Sequence, residues 1–129
     1  MSRTDATLLV VEPDQVTREM YVRELARTWR VLACSDNLSA LAHLTSDTVN
    51  AVVLEPVMPG GENWSLVAAV RANSATATIP VLICSVVSDR GPGMALGATA
   101  HLVKPVAPQQ LVKEVAHWLD PHVEARTSK

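Results

Sequence analysis

Five short apolar runs punctuate the chain: TLLVV (7–11), VLAC (31–34), AVVL (51–54), PVLICS (80–85) and AHLV (100–103). Each is continuous rather than alternating, the pattern of a strand buried on both faces. The segments between them are long enough for helices. This alternation predicts a βαβαβαβαβα order in one α/β domain, with a parallel sheet covered on both sides.

The polar positions place the helices. Asp14 is a good N-cap for the first, with Tyr21, Val22, Leu25 and Trp29 as its buried stripe and Glu19, Arg23, Arg27 and Arg30 opposite. The second is expected over Leu38 to Leu44, behind Asn37 as cap. The third runs from near Trp64 to Arg71 with Leu66, Val67 and Val70 inward. The fourth is weakened by Gly91, Pro92 and Gly93, since glycine costs about 1 kcal/mol per interior helical position. It is expected to start late, near Pro92, or to fray. In the fifth, Pro108 suits the first turn, Leu111, Val112, Val115 and Leu119 form the stripe, and Pro121 follows its end. Trp64 and Trp118 read as helix-packing residues.

Composition narrows the function classes. The chain has 129 residues, 48% hydrophobic and 19% charged, which excludes disorder and suits one core-bearing domain. The domain is expected over residues 1–122, with a loose tail at 123–129. A net charge of -2 provides no electrostatic footprint for nucleic acid. No apolar run approaches the roughly 18 residues of a membrane span, and the N-terminus does not read as a signal peptide, so a cytoplasmic location is expected. Cys34 and Cys84 form no CxxC or zinc spacing and read as small core residues.

Chemistry gathers just beyond the runs. Glu12, Pro13 and Asp14 follow the first, Glu55 and Pro56 the third; Ser85 ends the fourth and Lys104-Pro105 the fifth. In open α/β sheets such strand ends form the ligand crevice. If these runs are neighbours, acids, a hydroxyl and a lysine converge in one shallow pocket. A flavin or nucleotide site would instead need a Gly-, Ser- or Thr-rich first βα loop. The EPDQ sequence at 12–15 is acidic and would repel phosphate.

Four motifs in order, LLVVE (8–12), VVLEPVMPGG (52–61), IPVLICS (79–85) and GATAHLVKP (97–105), resemble the receiver domain of bacterial two-component response regulators over nearly the whole chain. The resemblance implies a flavodoxin-like (βα)5 three-layer sandwich with strand order 2-1-3-4-5. In that order Cys34 and Cys84 lie three strand spacings apart, about 14 Å, too far for a disulfide, which needs Cα atoms within about 7 Å. Glu55 stands at the phosphoacceptor position. Glu12 and Pro13 stand where a pair of acids holds a divalent metal, and Val57 would offer that metal its carbonyl. Ser85 and Lys104 match the phosphoryl-contacting hydroxyl and lysine. His101 matches the aromatic switch position, and Pro105 a position often preceded by a cis bond.

Two departures fall on the chemistry. Pro13 lacks a carboxylate, and Glu55 is one methylene longer than aspartate. In-line transfer depends on alignment, and about 1 Å of misplacement can cost about a hundredfold. Glu12, Glu55 and Lys104 sum to -1 rather than the usual -2, so a Glu55–Lys104 contact could replace the metal. Asp14 could supply an acid to the pocket, although N-capping is its ordinary role. The expectation is therefore a non-enzymatic pseudo-receiver without a cofactor, whose Mg2+ binding, if any, is weak. It would act as a regulatory protein-interaction module in a phosphorelay, with a histidine kinase or an output protein as partner. The face of the fourth helix, fifth strand and fifth helix would serve for contacts or a homodimer, with no direct nucleic-acid or membrane binding. The alternative is a phosphorylatable receiver with a degenerate Mg2+-dependent site.

Overall fold

The computed structural model describes residues 5–119. Its elements are β1 (Thr7–Val11), α1 (Gln15–Leu25), β2 (Arg30–Cys34), α2 (Asn37–Ser46), β3 (Ala51–Leu54), β4 (Val57–Met58), β5 (Gly61–Glu62), α3 (Ser65–Ala72), β6 (Val81–Ser85), α4 (Gly91–Ala95), β7 (Ala100–Val103) and α5 (Pro108–Leu119). The main sheet is parallel throughout, in the order β2-β1-β3-β6-β7. With the small β4–β5 hairpin set aside, this is the expected 2-1-3-4-5 order, and the fold is the flavodoxin-like one.

The continuous apolar runs take the central places. Every residue of β1, β3 and β6 is buried. Leu8, Val10, Val53 and Leu82 face one core with Tyr21 and Leu25 of α1 and Leu111 and Val115 of α5. Leu9, Val11, Val52 and Ile83 face the other with Ala40 of α2 and Leu66, Val67 and Val70 of α3. The VLAC run becomes the edge strand β2, so its residues are half-buried or exposed rather than covered on both faces. Cys34, its last residue, is half-buried, Cys84 of β6 is buried, and both are free thiols.

Local chemistry moves several boundaries. The α2 cap is Asp36, whose carboxylate accepts from the Ser39 amide at 2.7 Å, so Asn37 is the first helical residue instead of the cap. The helix α1 ends at Leu25, and Trp29 reaches the core from the turn beyond it. The β4–β5 hairpin was not anticipated: it turns through Gly60 and Gly61, at φ 97° and 127°, which only glycine adopts without strain. The helix α4 is short, yet it begins at Gly91 rather than late. Gly93 explains why glycine is tolerated there: a Cβ would stand 2.8 Å from the Trp64 ring. Pro121 and the expected tail at 123–129 lie outside the described residues.

Candidate functional site

Each strand end delivers one polar side chain to the same rim. Because β1, β3, β6 and β7 lie side by side in the sheet, Glu12, Glu55, Ser85 and Lys104 follow their strands into one crevice. Glu12 and Glu55 are 2% and 3% exposed and Ser85 is fully buried, so each must find partners inside the protein.

Glu55 finds four. Its Oε2 accepts from Ser85 Oγ at 2.5 Å and from the Val57 amide at 3.1 Å. Its Oε1 accepts from the Val86 amide at 3.2 Å and lies 3.0 Å from Lys104 Nζ. A carboxylate has about four acceptor sites, so this group is saturated. Lys104 Nζ also donates to Glu12 Oε1 at 2.6 Å, while Glu12 Oε2 accepts from the Asp14 amide at 3.0 Å. The pocket is a closed three-charge cluster, with Lys104 bridging the two acids.

Burial pulls the Lys104 pKa down, but hydrogen bonds to Glu12 and then Glu55 outweigh it and hold the ammonium above the ordinary lysine value. Nearby, burial pushes the Cys84 thiol up to about 12, leaving it a protonated core residue.

The remaining residues singled out in the sequence take mixed places. Asp14 gives the cluster its amide, but its carboxylate caps α1, accepting from the Thr17 hydroxyl at 2.6 Å and the Thr17 amide at 3.0 Å. Those two bonds lower its pKa. It therefore supplies no acid to the cluster. The Val57 amide donates to Glu55 Oε2. Pro56 lacks an N–H, and its carbonyl instead accepts from Asn63 across the hairpin. His101 is buried in β7, with Nε2 2.7 Å from the Val87 carbonyl. The Lys104–Pro105 peptide is cis.

Sequence reasoning missed the backbone donors at Val57, Val86 and Val87, because an amide carries no side-chain signature. It also missed Arg18, which lies one turn into α1 and donates to the Glu12 carbonyl at 2.8 Å, steadying the β1–α1 loop. Its spacing of four from Asp14 was the one available signal.

The donor set does not fit a divalent cation. Magnesium wants near-octahedral oxygen ligands. Here the Lys104 ammonium sits between the two carboxylates, Pro13 brings no oxygen from a side chain, and Glu55 has no lone pair left. Among the described residues, no group of three His, Cys, Asp or Glu side chains is placed to hold a metal.

Beside the cluster lies an open groove of about 370 Å³, lined by Thr17, Met20 and Tyr21 of α1 and by Val86, Lys104, Pro105 and Val106. A family model, that of the response regulator receiver domain, matches residues 8–116. The chain belongs to that family. This receiver domain is thus a module of two-component signalling. It is 28% identical over 116 residues to the transcriptional regulatory protein HprR of Escherichia coli (strain K12), covering 89% of this chain and 52% of that protein. It is 28% identical over 112 residues to the phosphate regulon transcriptional regulatory protein PhoB of the same organism, covering 84% and 49%. The chain spans about half the length of these curated relatives. Among solved structures, the chemotaxis response regulator CheY4 of Vibrio cholerae superposes with a TM-score of 0.79 at 28% identity, covering 86% of this receiver domain and 96% of that chain. Among the described residues no helix is long and apolar enough to cross a membrane.

Proposed function

We propose that this receiver domain works as a pseudo-receiver: a regulatory protein-interaction module whose pocket is not phosphorylated at Glu55. The observation that carries this is the saturation of the Glu55 carboxylate by Ser85, Val57, Val86 and Lys104. A carboxylate that accepts phosphate must aim a free lone pair at the incoming phosphorus, in line with the leaving group and at about 3–3.5 Å. Glu55 has none to aim. The extra methylene lets its oxygens reach the hydroxyl, amides and ammonium that would otherwise receive a phosphoryl group. The carboxylate occupies that space permanently, and Lys104 supplies the positive charge a metal would bring.

The output of such a module is a contact surface. The face built by α4, β7 and α5 carries Met94, Leu96 and Val103 at 41%, 40% and 45% exposure. These are apolar side chains on the elements we propose for docking an effector protein or a second copy. A histidine kinase is a partner by family membership, in a binding rather than a phosphoacceptor role.

The test uses a small acyl phosphate donor with Mg2+, followed by intact-mass measurement. The wild-type protein is expected to remain unlabelled. The double variant Glu55→Asp with Pro13→Asp is expected to regain both Mg2+ binding and a labile phosphoryl group. A stoichiometric label on wild-type Glu55, Glu12 or Asp14 would establish the alternative, a working receiver with a degenerate site.

A further inference from the structure

The outer edge of β2 is open. This strand ends the main sheet, and among the described residues no strand pairs with its far side. Its register with β1 turns the backbone of Arg30, Leu32 and Cys34 inward. The Arg30 amide donates to the Ala6 carbonyl, and the Cys34 carbonyl accepts from the Glu12 amide. Successive residues of a strand bond to opposite sides, so the N–H and C=O of Val31 and Ala33 point away from the sheet. Helices do not roof this edge: Ala33 is exposed, and Val31 and Leu32 are half-buried. Open edges are ordinarily guarded by lysine, proline or a bulge. Residues 31–34, VLAC, contain neither lysine nor proline, and their register with β1 is unbroken. The opposite edge strand, β7, by contrast runs into Lys104-Pro105.

We propose that β2 is a self-association edge: it pairs with β2 of a second copy of this chain, antiparallel about a two-fold axis at Leu32, joining the two sheets into one. That register sets Val31 opposite Ala33 of the second copy, and Ala33 opposite its Val31. Each such pair exchanges both of its backbone hydrogen bonds, so every outward group of the strand is satisfied and none is left over. Charge favours the same arrangement. Arg30 opens the strand and, among the described residues, forms no ion pair; Asp36, an exposed acid, follows the strand's end. Antiparallel pairing brings Arg30 one diagonal step from Asp36 of the second copy, within reach of a long side chain. A flexible peptide is the poorer occupant. Backbone bonds to two residues do not offset the ordering of a free chain, whereas a second β2 is already held straight by its own β1. This edge is separate from the α4–β7–α5 face, and the inference stands whether or not Glu55 can be modified.

Sedimentation velocity over a concentration series is the first test. The wild-type mass should rise from monomer towards dimer. Ala33→Pro removes two of the four bonds across the joint and should weaken self-association by about tenfold or more. Proline is tolerated there because the missing N–H faced out of the sheet. Ala33→Lys keeps the amide, adds a guarding charge and should act in the same direction. Amide exchange needs no variant. Leu32 and Cys34, whose amides face β1, should be protected at every concentration, and Val31 and Ala33 only as dimer forms. Cross-linking reads the register. Leu32→Cys sets two thiols on Cα atoms about 4.5 Å apart, inside disulfide range. Ala33→Cys leaves them roughly 8 Å apart, beyond it. Wild-type protein that stays monomeric at millimolar concentration overturns the proposal. So do Val31 and Ala33 amides that exchange freely throughout. A dimer that ignores Ala33→Lys, or that cross-links through Ala33→Cys rather than Leu32→Cys, overturns it too, since it uses another face or another register.

Discussion

Lys104 is the residue on which the site's electrostatics turn. It neutralises two carboxylates that are almost wholly buried, and removing one partner of such a cluster leaves uncompensated charge in a poor solvent. Lys104→Met is expected to destabilise the domain by about 3 kcal/mol or more at neutral pH, measured by urea unfolding. If Lys104→Met unfolds at the wild-type midpoint, the three-charge cluster contributes nothing to stability. The wild-type protein carries a complementary signature on the alkaline side. Because the folded state raises the Lys104 pKa above its ordinary value of 10.5, the stabilisation is complete below that value. It is lost as the pH climbs through the raised native value. An alkaline unfolding series should show a Lys104-dependent loss beginning only above about pH 10. A loss that begins near neutrality would contradict the geometry.

At the scale of elements, glycine in α4 has two different meanings. Gly91 and Gly93 both lower intrinsic helix propensity, but only Gly93 faces a rigid aromatic ring. A Cβ at Gly93 would meet the Trp64 ring at 2.8 Å, while one at Gly91 would meet the side chain of Asp89 at 3.1 Å. Gly93→Ala is expected to cost about 1–2 kcal/mol net, because overpacking against a rigid ring exceeds the gain of about 1 kcal/mol in propensity. Gly91→Ala should be near neutral. Thermal unfolding of the pair decides it: equal shifts would show that Trp64 yields easily. A second element-level anchor is Arg71, at the end of α3. It donates to the carbonyls of Gly97, Ala77 and Ile79 at 2.8, 3.1 and 2.6 Å. It thereby ties the turns leading into β6 and into β7 to one helix. Neither role was legible beforehand. The Gly-Pro-Gly break at 91–93 marked a weak helix correctly, but the contact that makes glycine necessary comes from Trp64, 29 positions earlier in the chain. Arg71 looked like an ordinary last-turn cation until the loops it serves were folded against it.

For the whole molecule, the pocket's indifference to metal is a thermodynamic prediction. A site of millimolar affinity would add about 1.4 kcal/mol at ten times its Kd, which in a domain of this size raises Tm by about 5 °C. Wild-type protein should show a Mg2+-induced shift below about 1 °C, a negligible linkage. The Glu55→Asp, Pro13→Asp variant should show the larger one. A shift of several degrees in the wild type would mean that Lys104 yields its place to a cation. The sequence by itself determined the fold and the rim. Continuous apolar runs alternating with helical segments pointed to a two-sided parallel sheet, and the crevice rule, joined to the strand order the resemblance implied, gathered Glu12, Glu55, Ser85 and Lys104. Only the tertiary structure decided what Glu55 does with its longer side chain, that Asp14 turns away to cap α1, and that His101 reaches Val87. Those outcomes depend on backbone amides and on distances of a few tenths of an ångström between segments dozens of residues apart. No local pattern encodes them, because they are set by how the neighbouring strands end relative to one another.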